Sequence, residues 1–411
     1  MSMSAAARVL VLGGGVGGLE AAAALGRHQN ISLTLVDRSP VHYWKPALHE
    51  FAAGTMQHQG NCIPFTETAA KFGFTFVQGS PTTVNRDNKT VSLDTGATLP
   101  YDYLVVALGS RANDFGIPGI VDHCMFIDNL NDADTLFATF REAVQKARTA
   151  GEKLSIGIVG GGATGVQLIA ELCKSIDDAR SLGPSVRKSL LNAVLIETGP
   201  RILPAFPEAV SSAAARQLEN LGIAVRTEAM VVGADETGFS LKSGEHIPAS
   251  LRVWAAGVRA SDATSLLEGL ERGRSGQLGV TTTLQTTQDP TVFAIGDCSR
   301  IDAAPIAPTA QAARQQGQYI GRALPEIIAG KTPAPFAYND RGAVVALGDY
   351  NGWGMLDAKR SFGGGLLSGL AARLIHEGLY RQHLAGILGI TPTACSTLRE
   401  HLSPVKPDLG G

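Results

Sequence analysis

The chain has no CxxC and no CxxxxC. Its five cysteines, Cys62, Cys124, Cys173, Cys298 and Cys395, are scattered singly along 411 residues. That spacing gives no support to a metal knuckle or a local redox disulfide. The lack of a disulfide framework fits a reducing compartment. No run of 18 or more apolar residues occurs, so no spanning helix is expected. No basic stretch followed by an apolar one precedes the first strand-like segment, so the N-terminus does not read as a signal peptide. The formal net charge is −2, which gives no reason to expect a nucleic-acid partner. No Ser/His/Asp set and no clustered metal ligands stand out, so neither a side-chain nucleophile nor a metal centre is expected.

What the chain has in quantity is apolar residues and glycine. Hydrophobic residues make up 44%, charged residues 18%, and there are 48 glycines. A large core can be buried, disorder is not expected, and the length suggests two or three domains. The glycines are not evenly used. Residues 8–25 read RVLVLGGGVGGLEAAAAL, and residues 154–172 read LSIGIVGGGATGVQLIAEL. Each is an apolar strand, then GxGxxG, then a helical pattern. Gly160, Gly162 and Gly165 each stand 147 residues after Gly13, Gly15 and Gly18, and Gly257 of LRVWAAGVRA stands 148 after Gly109 of YDYLVVALGS. Two landmarks repeating at nearly one offset indicate duplicated nucleotide-binding units.

In such a turn the first glycine permits a tight bend. The second lets the backbone approach a pyrophosphate, and the third lets helix and strand pack closely. The helix N-terminus adds partial positive charge. An acid should end each second strand and bind ribose hydroxyls. Asp37 does so in ISLTLVDR, followed by Arg38, and Glu197 does so in NAVLIETG. Glu197 would repel a 2′-phosphate, which favours NADH over NADPH, although Arg201 lies close in sequence. FAIGD at 293–297 ends a third apolar strand in Asp297. In a flavoprotein with two such units this Asp meets the flavin ribityl chain, so FAD is assigned to the first unit and NADH to the second.

The expected organisation is therefore α/β, with two Rossmann-type dinucleotide-binding domains in a glutathione-reductase-like arrangement. Residues 1–117 and 271–335 form a discontinuous FAD-binding domain and residues 118–270 an NADH-binding domain. Residues 336–411 form a C-terminal region, beginning with strand-like AVVALG and ending in a Leu-rich helical stretch. Leu366, Leu367, Leu370, Leu374 and Ile375 fall on one side of a helical wheel, with Arg373 and His376 opposite. That stripe suits either the protein's own core or a membrane surface.

The motifs HYWKPALHEFAAGT, LIETGPRILPAFPE, VWAAGVRAS, VFAIGDC and PTAQAARQQG, taken with the two glycine turns, resemble the type II NADH dehydrogenases. These are single-subunit, non-pumping NADH:quinone oxidoreductases, and the likeness covers nearly the whole chain. The resemblance implies FAD held by Gly13, Gly15, Gly18, Asp37, Arg38, Lys45, Ala107, Gly109 and Asp297. It implies NADH held by Gly160, Gly162, Gly165, Glu197, Ala256 and Gly257. Hydride would pass from NADH to flavin N5, and two electrons would pass on to a quinone. The AQxAxQ pattern matches Ala310, Gln311, Ala313 and Gln315, with Gln311 and Gln315 lining the quinone site. It further implies peripheral attachment to the cytoplasmic face of the inner (plasma) membrane and, commonly, a homodimer.

Several residues keep two readings. Lys45 is either a group beside the flavin or a solvated lysine. His42, His49 and Glu50 are read as structural hydrogen-bonding groups ahead of proton carriers. Where the family usually has Glu after GGGxTGV, this chain has Gln167, and Glu171 one turn later reads as a helix-surface or interface acid. The rival enzyme is a sulfide:quinone oxidoreductase, which needs paired redox cysteines, with Cys124 and Cys298 as candidates by position. A non-catalytic NADH-binding redox sensor is the rival outside enzymes.

Overall fold

In the computed structural model, residues 6–179, 182, 184–355, 361–363, 366–402 and 406–409 are described. The chain divides into two compact units. One comprises Met1–Lys45, Asn61–Arg111 and Val258–Asp340, and the other Pro46–Gly60, Ala112–Gly257 and Arg341–Gly411.

The first unit is built on a five-stranded parallel sheet. Its order is Val292–Ala294, Tyr103–Val106, Ala7–Leu12, Ile31–Asp37 and Thr75–Gln78. Val9 to Leu12 and Leu104 to Val106 are all buried. A central parallel strand covered on both faces needs such an unbroken apolar run. The strand before Asp297 thus returns to the sheet that begins the chain. Two helices, Val16–Leu25 and Ala310–Ile328, pack together through small residues. A Cβ on Gly317 would lie 2.3 Å from the Gly17 carbonyl oxygen, and one on Gly321 would lie 2.3 Å from the Ala24 Cβ. Only glycine allows this approach.

The second unit repeats the plan with four parallel strands in the order Ile223–Arg226, Leu191–Ile196, Leu154–Val159 and Leu251–Trp254. Helix Ala163–Asp178 follows its glycine turn. Helix Leu48–Ala53 packs against this helix and against Leu130–Ala150. The C-terminal part starts with antiparallel strands Ala343–Leu347, Asn351–Met355 and Ser361–Gly363. It continues with helices Leu366–Leu388 and Ile390–Leu402. Strand Ala343–Leu347 packs on helix Ala163–Asp178.

Candidate dinucleotide and electron-transfer sites

The two glycine turns are constructed identically. Gly13 has φ +101°, and a Cβ there would sit 2.3 Å from the Ala107 carbonyl oxygen; Gly160 has φ +117° with Ala255 at 2.7 Å. A Cβ on Gly18 would lie 1.8 Å from the Gly13 oxygen, and one on Gly165 would lie 2.0 Å from the Gly160 oxygen. The middle glycines differ from these. Among the described residues, nothing lies within 4 Å of a Cβ built on Gly15 or on Gly162. The first and third glycines are required by the fold itself. The middle ones border open space at a helix N-terminus, where a pyrophosphate fits.

Each acid holds its turn from the other side. Asp37 Oδ2 accepts from the Gly14 amide at 2.6 Å and Oδ1 from the Ser39 amide at 2.8 Å. Burial raises this carboxyl, against the opposing pull of the two amides and Arg38. Arg38 is exposed, and its carbonyl accepts from Gln78. In the second unit Glu197 Oε2 accepts from the Gly161 amide at 2.7 Å and Oε1 from the Gly199 amide at 2.7 Å. Arg201 points its fork at its own loop, donating to the carbonyls of Phe206 at 2.7 Å and Pro204 at 2.9 Å. Those bonds take the guanidinium away from any 2′-phosphate role. Ala256 and Gly257 follow strand Leu251–Trp254; Gly257 has φ +69° and would meet the Phe115 ring at 2.5 Å if it bore a Cβ.

Lys45, Gly109 and Asp297 are brought into one neighbourhood of the first unit. Lys45 Nζ donates to the Ser110 carbonyl at 2.6 Å, and Ser110 Oγ donates to Asp297 Oδ2 at 2.6 Å. Gly109 has φ +65°, and its carbonyl accepts from the Ser261 amide at 3.1 Å. Ser110 had no motif of its own beyond ending YDYLVVALGS. Gln316 was also missed: it is buried, and its Oε1 accepts from the Gly296 amide at 2.6 Å, fixing the turn that carries Asp297. The run of two adjacent amides in ARQQG was the available signal.

Helix Ala310–Ile328 opens with Thr309, whose hydroxyl accepts from the Ala312 amide at 3.1 Å. Gln311 and Gln315 lie one turn apart, and Gln315 clamps the backbone of Asn339. Its Nε2 donates to the Asn339 carbonyl and its Oε1 accepts from the Asn339 amide, both at 2.9 Å. His42 Nδ1 lies 2.9 Å from the Gly14 carbonyl oxygen and is buried, a structural contact.

On helix Ala163–Asp178, Gln167 is buried and its Nε2 meets no hydrogen-bond partner among the described residues. An orphaned donor beside a glycine turn fits a site completed by a bound polar group. Glu171 departs from the surface reading. It is 4% exposed, because this helix is covered by Leu48–Ala53 on one side and by the C-terminal strands on another. Burial pushes the thiols of Cys124 and Cys173 up to about 12 and that of Cys298 up to about 11. Such thiols remain protonated, which suits small buried hydrophobes and not attacking thiolates. The side chain of Cys395 lies outside the described residues.

Two dinucleotide turns on two parallel sheets define a pyridine-nucleotide-dependent flavoprotein oxidoreductase, with FAD and NADH as its cofactors. The sequence model of the pyridine nucleotide-disulphide oxidoreductase family matches residues 7–317. A type II NADH:quinone oxidoreductase of Haemophilus influenzae is 36% identical, across 98% of this chain and 99% of its own. One from Staphylococcus aureus is 34% identical, across 86% and 90%. The chain belongs to the type II NADH:quinone oxidoreductase family. Among solved structures, NDH2 from Plasmodium falciparum in complex with NADH superposes with a TM-score of 0.84 at 18% identity, covering 97% of this chain and 99% of that one. A sulfide:quinone oxidoreductase from Aquifex aeolicus superposes with a TM-score of 0.76 at 17% identity, covering 97% and 96%, so the rival chemistry shares this fold.

Proposed function

We propose that this protein oxidises NADH and reduces a quinone, without pumping protons. The observation that carries this reading is the pair of open turns at Gly15 and Gly162, each backed by an acid. One chain thereby offers two dinucleotide cradles. Bound FAD supplies the redox chemistry, taking a hydride equivalent and releasing two electrons. The chain's own residues bind and orient. Asp37 and Glu197 present carboxylates to ribose hydroxyls, and the helices after Gly15 and Gly162 face pyrophosphate. Lys45 is held by Ser110 on the same small network as Asp297, which supports its place beside the flavin. Gln311 is the residue we assign to a quinone carbonyl. Gln315 acts first as a clamp on Asn339.

We assign the protein to the cytoplasmic face of the plasma membrane as a peripheral protein. No helix among the described residues is long and apolar enough to cross a membrane. Ile375, Leu379, Ile390 and Leu398 of the two C-terminal helices are exposed. Leu366, Leu367, Leu370, Arg373, Leu374 and His376 have side chains outside the described residues.

An anaerobic titration tests the function. NADH should bleach the flavin absorbance, and a water-soluble quinone should restore it over many cycles. Bleaching by sulfide but not by NADH would replace this reading with that of a sulfide oxidase. A single slow bleaching with no turnover would leave a sensor.

A further inference from the structure

The two copies of the nucleotide-binding plan differ at one corresponding position. Gly109 and Gly257 follow matching strands 148 residues apart, and both have positive φ, +65° and +69°. Among the described residues, nothing lies within 4 Å of a Cβ built on Gly109. A Cβ on Gly257 would lie 2.5 Å from the Phe115 ring and 3.0 Å from the Asn113 Cβ. The second copy therefore carries an aromatic ring where the first leaves space.

Phe115 is held there against its own backbone preference. Its φ is +53°, and Gly116 after it has φ +66°. The Ile117 amide donates to the Asp114 carbonyl at 3.0 Å, closing a turn whose two central residues are both left-handed. Glycine, asparagine and aspartate dominate such positions, and a bulky side chain there is an outlier. The neighbours enforce it. Asn113 Oδ1 accepts from the Phe115 amide at 3.0 Å, and the Asn113 carbonyl accepts from Trp254 Nε1 at 2.8 Å. Trp254 is buried and ends strand Leu251–Trp254, so the turn is pinned to the strand that leads into Gly257. Yet Phe115 is not core, being 60% exposed. A lone exposed aromatic is ordinary. One kept in a strained turn is not, and such strain clusters at ligand-binding sites.

The strand order says which part of a ligand meets this ring. The glycine turn follows Leu154–Val159, with Leu191–Ile196 and Glu197 on one side and Leu251–Trp254 on the other. The turn touches the loop after Leu251–Trp254 directly. A Cβ on Gly160 would lie 2.7 Å from the Ala255 carbonyl oxygen and 2.8 Å from the Ala256 nitrogen. A dinucleotide lies across the carboxyl ends of such strands. With its adenosine ribose at Glu197 and its pyrophosphate at Gly162, its other half falls beside Ala255–Gly257. We propose that Phe115 is a recognition contact for the nicotinamide half of NADH, its ring packing on the nicotinamide ring. This rests on the assignment of NADH to the second unit. The strained turn sets the ring in place before the nucleotide arrives.

The test uses the full-length holoenzyme and two probes. NADH affinity is read from the concentration dependence of anaerobic flavin reduction. ADP-ribose, which lacks the nicotinamide ring, is read as a competitor of NADH. Phe115→Leu keeps apolar bulk and loses the aromatic face, and Phe115→Gly also removes the strain. Both should weaken NADH by about fivefold or more and leave ADP-ribose affinity unchanged. Phe115→Tyr should keep wild-type NADH affinity. Phe115→Gly should melt no lower than wild type, because glycine adopts positive φ without steric cost. NADH affinity unchanged in both Phe115→Leu and Phe115→Gly overturns the contact. Equal weakening of NADH and ADP-ribose, or a lower melting temperature for Phe115→Gly, makes the ring a support for the loop and overturns it too. A wild-type flavin that NADH does not reduce is a separate failure, that of the functional reading itself, and takes the contact with it.

Discussion

The glycines of the two turns share a motif but not a role, and substitution separates them. Gly15→Ala and Gly162→Ala add a methyl group where the protein leaves room, so both variants should fold. Gly15→Ala should weaken FAD retention, and Gly162→Ala should weaken NADH binding with FAD retained, each by more than about tenfold, or about 1.4 kcal/mol. Gly18→Ala and Gly165→Ala drive the methyl group into a carbonyl oxygen and should destabilise by about 1–3 kcal/mol or prevent folding. Thermal melts alongside flavin content and NADH titration check the contrast; equal effects at all four positions would defeat it. Glu197 makes a second residue-scale prediction. Its two oxygens are already aligned by the Gly161 and Gly199 amides, and Arg201 is turned away. Glu197→Gln should therefore narrow the preference for NADH over NADPH, read as the ratio of kcat/KM values. Wild-type use of both nucleotides at equal efficiency would remove Glu197 from this role. These residues were legible in the sequence because GxGxxG states a backbone requirement, and the acid lies at a strand end that the apolar pattern marks.

At the scale of elements, helix Ala310–Ile328 shows what a motif does not say. AQxAxQ placed Gln311 and Gln315 on one face, which its spacing guarantees. That Gln315 clamps the Asn339 backbone depends on a segment 24 residues further on, which the motif does not contain. Gln311→Leu should slow flavin reoxidation by quinone with flavin reduction by NADH little changed. Gln315→Leu should lower thermal stability as well, because it abandons two backbone groups of Asn339. Stopped-flow measurement of each half-reaction, together with melts, separates the two; equal loss in both half-reactions for Gln311→Leu would exclude it from the quinone site. Helix Ala163–Asp178 has a comparable anchor at its far end. Asp177 accepts from Arg187 Nε at 2.8 Å and from the Tyr350 hydroxyl, with both charged side chains nearly buried. Asp177→Ala leaves the buried guanidinium unpaired and should cost about 3–5 kcal/mol. Tyr350→Phe should cost less, about 1–3 kcal/mol. The sequence could not announce the bond of Asp177 with Tyr350, nor that of Thr55 with Glu171. Partners 173 and 116 residues apart carry no local signature, and Glu171 looked like a surface acid because helical spacing does not reveal what covers a helix.

For the whole molecule, the duplicated architecture was legible while its closure and its outer surface were not. An apolar stripe on a helix is the same whether it meets core or lipid. Stability should fall as pH rises from about 4.5 to about 7 and level off above that. The folded carboxyl of Glu171 lies above its ordinary value of 4.5, so the folded state binds more protons than the unfolded chain between those two values. The stabilisation is complete below the ordinary value and lost as pH passes the raised one. Glu171→Gln should flatten that slope. Membrane attachment needs a test that respects the packing. Tyr380, His383, Leu384 and Ile387 of the long C-terminal helix are buried, so deleting the region would expose core and confuse release with unfolding. The exposed set is better changed by itself. Combined Ile375→Asp, Leu379→Asp, Ile390→Asp and Leu398→Asp should leave the melting temperature and NADH oxidation with a soluble acceptor nearly unchanged. Burying each of those apolar side chains in an interface contributes about 1.5–3 kcal/mol at most. The quadruple variant should therefore lose co-sedimentation with anionic liposomes almost entirely. A wild-type protein that stays in the supernatant at low salt, or a variant that still sediments fully, would assign these side chains to contact with another protein surface.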